Sequence, residues 1–374
     1  MLKSLKIENF RRFESFEIQE LGRVNLLVGA NNSGKTSILE AIDLLCSRAD
    51  LEPLYRSAEA RGEYVWNLRK PKVGLLMSGE ELETDVRHFF YGRSLELDNQ
   101  FSIVGKNEKN EERLVASILE KNGGLGQIDS KPELYSNREL GLGLKWTRSD
   151  SLYNEKIIPF SSNGGIVRSQ GLPVDTIYAK QKKVQFVTSF SLDKDELIAL
   201  FDDLVLTDEE ESSIEALQII EPTIKRVAVA NSARYASTGA QARAGFLVRC
   251  SGSNERIPIG SMGDGIWRML GLALASRGAA GGVLLVDDID TGFHYSVMSD
   301  IWKMLWATAK RLNVQVFATT HNQDCWQSLA SIVEDESSEP DRITIQRIEP
   351  DKKTAVTFSD RQIRIASQRN IEVR

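Results

Sequence analysis

Cysteine is scarce in this sequence. Cys46, Cys250 and Cys325 are the only three in 374 residues, and they are too scattered for a disulfide framework or a metal knuckle. A reducing cytoplasm suits them. No stretch reaches the roughly 18 uncharged apolar residues that a membrane span needs, and the opening MLKSLKIENF lacks the apolar core of a secretory leader. No membrane partner is expected. An excess of basic charge is missing too: the formal net charge is −6, so the chain as a whole does not attract nucleic acid, and only a local basic stripe could. What is present, 41% apolar and 27% charged residues, is the make-up of a folded protein with one elaborated α/β domain or two.

The chain is organised around Gly29-Ala30-Asn31-Asn32-Ser33-Gly34-Lys35-Thr36, which follows the apolar run Val24 to Val28 and precedes the helical pattern from Ser37 to Ile42. Strand, G-x-x-x-x-G-K-T and helix in that order form a phosphate loop. Gly29 and Gly34 let successive N–H groups turn inward toward phosphate oxygens, and the helix adds its positive N-terminal end. Lys35 supplies a cation for the β- and γ-phosphates. The Thr36 hydroxyl is placed to ligate Mg²⁺, so ATP and magnesium are the expected cofactors and Gly29 to Ser37 the nucleotide-binding residues.

Three further constellations carry chemistry. Val283-Leu-Leu-Val-Asp287-Asp288 is an apolar strand ending in two carboxylates. Asp287 is expected beside the phosphate loop, holding magnesium through water, with Asp288 polarising the attacking water and Asp290 a substitute base. Ser261-Met262-Gly263-Asp264-Gly265 sits just before a helix, and a hydroxyl, two glycines and free N–H groups there make a second anion site, one that suits the nucleotide of a partner subunit. Thr319-Thr320-His321 closes the strand Val314 to Ala318. A histidine at that edge of a parallel sheet can donate to a γ-phosphate. His294 falls between the acidic pair and the next helix, as an interface residue, and His88 has no role legible in the sequence.

Along the chain, Leu2 to Ile18 reads as two short strands around Asn9 to Arg12, and residues 50 to 75 read as helical, ending near Pro71. From 78 to 180 the pattern weakens into a β-rich region, with a strand over Leu95 to Val104, turn-like stretches over Gly105 to Glu112 and Lys121 to Ser130, and short strands at Leu144 to Trp146 and Ile157 to Phe160. Asp193 to Leu204 and Asp208 to Ile220 read as two amphipathic helices of a short arm. Two or three strands follow over Ile224 to Val248, with a hairpin tip at Gly239 to Gly245. Strands then alternate with helices, which argues for a parallel sheet.

Together these residues resemble the ATP-binding cassette (ABC) fold in the branch of RecF, SMC proteins and OLD-type ATPases, often grouped as AAA-15 or AAA-21. Phe10-Arg11-Arg12-Phe13 resembles the opening of that branch, Gly29 to Thr36 its Walker A, Ser261 to Gly265 its signature, Val283 to Asp288 its Walker B, Thr291 to Ser296 its D-loop and Thr320-His321 its switch histidine. The resemblance implies an α/β ABC head with a mixed or parallel sheet. Lobe I with Walker A would occupy residues 1–77, a β-rich outer part 78–189, a helical arm 190–222 and lobe II 223–374. It implies a homodimer or higher homo-oligomer closing around Mg-ATP, with Asp288 and His321 catalytic, Thr36 and Asp287 on the metal, and Arg11 or Arg12 touching nucleotide or a neighbour. The family has glutamate after the Walker B aspartate; the shorter Asp288 implies slow hydrolysis. The chain ends at Arg374 without the acids of a Toprim nuclease, so a stand-alone ATPase is expected, acting on DNA or a separately encoded effector such as a nuclease, in phage defence or DNA repair. The competing expectation is a nucleotide-gated scaffold or sensor that holds a toxin with little turnover.

Overall fold

The computed structural model describes residues 1–48, 50–65, 83–120, 140–149, 156–168, 184–229, 245–333 and 342–373. The chain divides by contacts into two units, one of residues 1, 19–39 and 182–374, the other of residues 2–18 and 40–181. This division differs from the four expected segments, because the phosphate-loop strand falls with the C-terminal half of the chain.

The N-terminal stretch forms the expected hairpin, β1 (Ser4–Phe10) and β2 (Phe13–Ile18), in which Leu5, Ile7, Phe16 and Ile18 are buried at every second position. Next come β3 (Val24–Val28), α1 (Lys35–Cys46) and α2 (Glu52–Arg61). α2 is shorter than the helix expected to run toward Pro71. It stops at Gly62, whose φ of 66° ends the helix while its N–H bonds back to Ala58 and Glu59 carbonyls; residues 66–82 lie outside the described ones. Then follow β4 (Glu83–Thr84), β5 (Gln100–Lys106), β6 (Glu111–Glu120), β7 (Leu140–Arg148), β8 (Lys156–Pro159) and β9 (Ile166–Val167).

The β-rich region is more regular than its sequence suggests: an antiparallel sheet in the order β2-β1-β5-β6-β7-β8. β5 starts at Gln100 rather than Leu95, and only residues 107–110 form a turn. β6 escapes sequence reading because it opens Glu-Glu-Arg. Glu112 is nonetheless buried, 3.7 Å from the Arg148 guanidinium, while Leu114, Ala116 and Ile118 alternate inward behind it. Lys121 to Ser130 lies outside the described residues.

The other unit continues with β10 (Val184–Val187), α3 (Lys194–Asp202), α4 (Asp208–Gln218), β11 (Ile224–Val229), β12 (Phe246–Cys250), β13 (Ile257–Pro258) and α5 (Asp264–Gly278). It ends with β14 (Val283–Val286), α6 (Met298–Arg311), β15 (Gln315–Thr320), α7 (Gln323–Ala330), β16 (Ile343–Arg347), β17 (Val356–Phe358) and α8 (Asp360–Gln368). Its main sheet runs β10-β14-β15-β3-β16-β17, parallel throughout except for the β16–β17 pair. A parallel sheet is covered on both faces, and β3, β14 and β15 are buried at every residue. Asn25 is tolerated inside β3 because its amide donates to the Gly22 and Val316 carbonyls and its oxygen accepts the Gly22 N–H.

The helices of 190–222, expected as an arm, are part of this core. Leu197 and Phe201 of α3 and Ala216 and Leu217 of α4 are buried with α5, and Phe201 meets Phe246 edge-on at 5.5 Å. β11, β12 and β13 form a small antiparallel sheet; the segment 230–244, which holds nearly all of the expected hairpin tip, lies outside the described residues.

Candidate functional site

The loop between β3 and α1 has the backbone that its glycines permit. Gly29 has φ 151° and Gly34 φ 101°, and a Cβ on Gly29 would stand 2.5 Å from the Ile348 carbonyl oxygen, so no larger residue fits there. Asn32 takes φ 59°, which asparagine tolerates. The first helical bond of α1 runs from Ile38 N–H to Gly34, leaving the N–H groups of Lys35, Thr36 and Ser37 as donors of an open helix start. Ser33 has a buried hydroxyl with no partner. The Lys35 ammonium donates to the Gly29 and Ala30 carbonyls at 2.8 and 2.9 Å. Burial pushes its pKa below the usual 10.5, against the pull of Asp288 and Asp287.

The acidic strand β14 is not the immediate neighbour of β3; β15 lies between them. Asp287 still reaches the loop. The Thr36 hydroxyl lies 3.1 Å from both of its carboxylate oxygens. β15 supplies the support that makes this possible: the Thr319 hydroxyl donates to Asp287 Oδ1 at 2.6 Å and accepts the Asp288 N–H at 2.7 Å. Asp288 adopts φ 45° and its Oδ1 lies 3.8 Å from His321 Nδ1. Asp290 accepts a hydrogen bond from the Thr320 hydroxyl at 2.6 Å, which gives it a place in the turn.

Ser261 and Met262 end a short turn of 3₁₀ helix, Gly263 takes φ 95°, and Asp264 opens α5. Ser261, Gly263 and Asp264 are exposed, and no atom stands within 4 Å of a Cβ built on Gly263. A Cβ on Gly265 would meet the Gly292 carbonyl oxygen at 2.9 Å, so the start of α5 packs against the turn that follows Asp290. In that turn His294 Nδ1 is 2.8 Å from the Ser296 hydroxyl, and its ring lies 4.3 Å from that of Tyr295, both exposed.

One turn into α5 comes a residue that sequence reading passed over. Arg268 is buried, and its guanidinium donates to the carbonyls of Thr188, Asp287 and Asp288 at 2.6, 2.7 and 2.6 Å. The helix that follows the Ser261 to Gly263 turn therefore fixes the backbone of both acids. An arginine amid an apolar helix was the available signal.

Arg11 is engaged inside its own unit. Its side chain is 6% exposed and donates to Glu40, Glu63 and Ser57, with the guanidinium 4.0 Å from the Phe89 ring centre. Arg12 is exposed. His88 lies 3.6 Å from Asp85, and its backbone carbonyl accepts from Arg11.

Two family models match: "AAA ATPase domain" over residues 1–135 and "AAA domain, putative AbiEii toxin, Type IV TA system" over residues 178–324. An ATP/GTP phosphatase of Helicobacter pylori is 21% identical over 363 residues, 89% of this chain and 88% of that protein. RecF of Clostridioides difficile is 50% identical over 44 residues, 12% of each chain, and an OLD nuclease of Thermus scotoductus 40% identical over 65 residues, 17% of this chain and 12% of that one. The chain is an ATPase. Over short stretches it is similar to RecF and to an OLD nuclease. Among solved structures, an SMC head bound to the C-winged helix domain of ScpA aligns over 96% of this ATPase and 97% of its own chain, with TM-score 0.47 and 12% identity.

The residues of this ATPase fit a magnesium-bound triphosphate: a buried ammonium, a partnerless buried hydroxyl on Ser33, open N–H donors, and a hydroxyl against a carboxylate. Among the described residues no group of three His, Cys, Asp or Glu is gathered, so Thr36 and Asp287 would need phosphate and water oxygens to complete octahedral coordination. No helix among those residues is long and apolar enough to cross a membrane.

Proposed function

We propose that this ATPase works as a homodimer or higher homo-oligomer, with each ATP gripped by Gly29 to Ser37 of one protomer and Ser261 to Gly265 of the other. The observation that supports the nucleotide site within each protomer is the pair of 3.1 Å contacts from Thr36 to Asp287, which join the phosphate loop to the acidic strand, and the exposed Ser261 turn is what supports the half given in trans. Lys35 binds the β- and γ-phosphates. Magnesium, when bound, neutralises charge on the phosphate oxygens between Thr36 and Asp287. The Asp288 carboxylate orients the attacking water and accepts its proton, and the His321 ring donates to the γ-phosphate. Closure controls DNA or a separately encoded effector such as a nuclease, in phage defence or DNA repair, in the cytoplasm.

A second reading, a nucleotide-gated scaffold that scarcely turns over, draws on the short Asp288 and its 3.8 Å separation from His321. Steady-state phosphate release and analytical ultracentrifugation with Mg-ATP distinguish them. Release stimulated by duplex DNA supports the first; ATP-dependent dimers with near-zero release support the second. Lys35→Ala should lose nucleotide retention, whereas Ser261→Arg should keep it and lose the dimer. Wild-type protein that retains no adenine nucleotide would rule out both readings.

A further inference from the structure

A net charge of −6 hides a strong local imbalance. From 222 to 254 the sequence contains no Asp or Glu, yet it carries Lys225, Arg226, Arg234, Arg243 and Arg249. Of these, Lys225, Arg226 and Arg249 lie among the described residues, on β11 and β12, and all three are exposed. Arg226 and Arg249 stand directly opposite each other across the strand pair. Like charges in that position repel, and a carboxylate between or beside them is the usual remedy. Here, among the described residues, neither arginine, nor Lys225, nor the nearby Arg256, forms an ion pair.

The surroundings do not supply the missing negative charge. The acidic helix α4 packs on the other face of β11, where Ala216 and Leu217 share a core with Ile224 and Val227. Glu221 is occupied by the N–H and hydroxyl of Thr223, and Glu255 follows the turn at Ser253. Between the strands and that turn lies an open groove of about 360 Å³ whose walls include Lys225, Arg249, Ser251, Ser253 and Asn254 and, among the described residues, no carboxylate. The β-bulge between Ile224 and Arg226 exposes Lys225 and Arg226 together, despite the strand's alternation.

We propose that this face of β11 and β12 binds the phosphodiester backbone of nucleic acid. Two like charges held opposite each other cost stability in the isolated subunit, and a polyanion converts that cost into affinity by replacing its own condensed counterions. A row of cations suits a strand of successive phosphates better than one enclosed anion. The hydroxyl and amide groups of the turn add neutral donors of the kind that meet phosphate oxygens. The proposal rests on the DNA arm of the function given above and gives it a place.

The test uses the full chain without nucleotide, a fluorescein-labelled duplex and a single strand of the same length, and anisotropy across a salt series. Wild type should bind, with affinity falling linearly on logarithmic axes. Arg226→Gln with Arg249→Gln should weaken binding at least tenfold and flatten the salt slope by about 2, uniformly across sequences. The same double substitution should raise Tm by about 1–3 °C by relieving repulsion, which separates lost contacts from lost folding. No binding of either nucleic acid at low salt, unchanged binding in the double variant, or a fall in Tm would overturn the proposal. Displacement by inorganic phosphate equally well at every strand length would overturn it too, reducing the groove to a small-anion pocket. Retention of ATP through Lys35 is read separately, so failure here leaves the ATPase reading standing.

Discussion

At the scale of single residues, catalysis turns on reach. Asp288 carries its carboxylate one methylene closer to the backbone than glutamate would, on a backbone held at φ 45°. Asp288→Glu should therefore raise steady-state phosphate release; an unchanged or lower rate would show that reach is not limiting. Lys35 gives a pH signature. Burial holds its pKa below 10.5, so the ammonium loses its proton earlier in an alkaline titration than an exposed lysine would. A triphosphate needs the charged form, so nucleotide binding takes up a proton and affinity falls as pH rises toward 10.5. Fluorescent-nucleotide titrations should show that fall in wild type and none over the same window in Lys35→Arg, whose guanidinium stays charged.

At the scale of elements, α5 connects two halves of the proposed chemistry, since it begins at the exposed Ser261 turn and holds the Asp287 and Asp288 carbonyls through Arg268. Arg268→Met should lower kcat at least about tenfold with nucleotide affinity changed less than threefold, and Arg268→Lys should not rescue it, because one ammonium cannot span three carbonyls. Single-turnover phosphate release and equilibrium binding separate the two effects. In the other unit, Arg11→Ala removes one partner of Glu40, which Arg61 and Ser57 still hold, together with the bond to Glu63, and should cost about 1–3 kcal/mol in urea unfolding, while Arg12→Ala should stay within about 0.5 kcal/mol. What the sequence disclosed follows from such chemistry. β3, its loop and α1 were legible because glycine spacing and an apolar strand have few other uses. β6 was not, since its buried Glu112 looks like a solvent residue until Arg148 is seen beside it. α3 and α4 were legible as helices but not as core, because one apolar stripe suits an arm or a packed layer equally. Thr319 passed for an ordinary strand residue, though its hydroxyl orders both acids.

At the scale of the whole molecule, proposed dimerisation makes stability a matter of mass action. If ATP completes its site only between two protomers, the rise in Tm produced by Mg-ATP should grow with protein concentration, and Ser261→Arg should abolish that dependence while leaving a smaller, concentration-independent rise. Differential scanning fluorimetry over a dilution series reads both.

The strand between β14 and β3 works as a ruler for the acids. Three consecutive residues are each assigned a different carboxylate: Thr319 to Asp287, Thr320 to Asp290 and His321 to Asp288. Thr319 and Thr320, the last two residues of β15, leave it on opposite sides, so a single inserted residue upstream would turn the Thr319 hydroxyl away from Asp287 and carry Thr320 and His321 past their acids. Such a frameshift in space would silence hydrolysis while leaving each individual group intact.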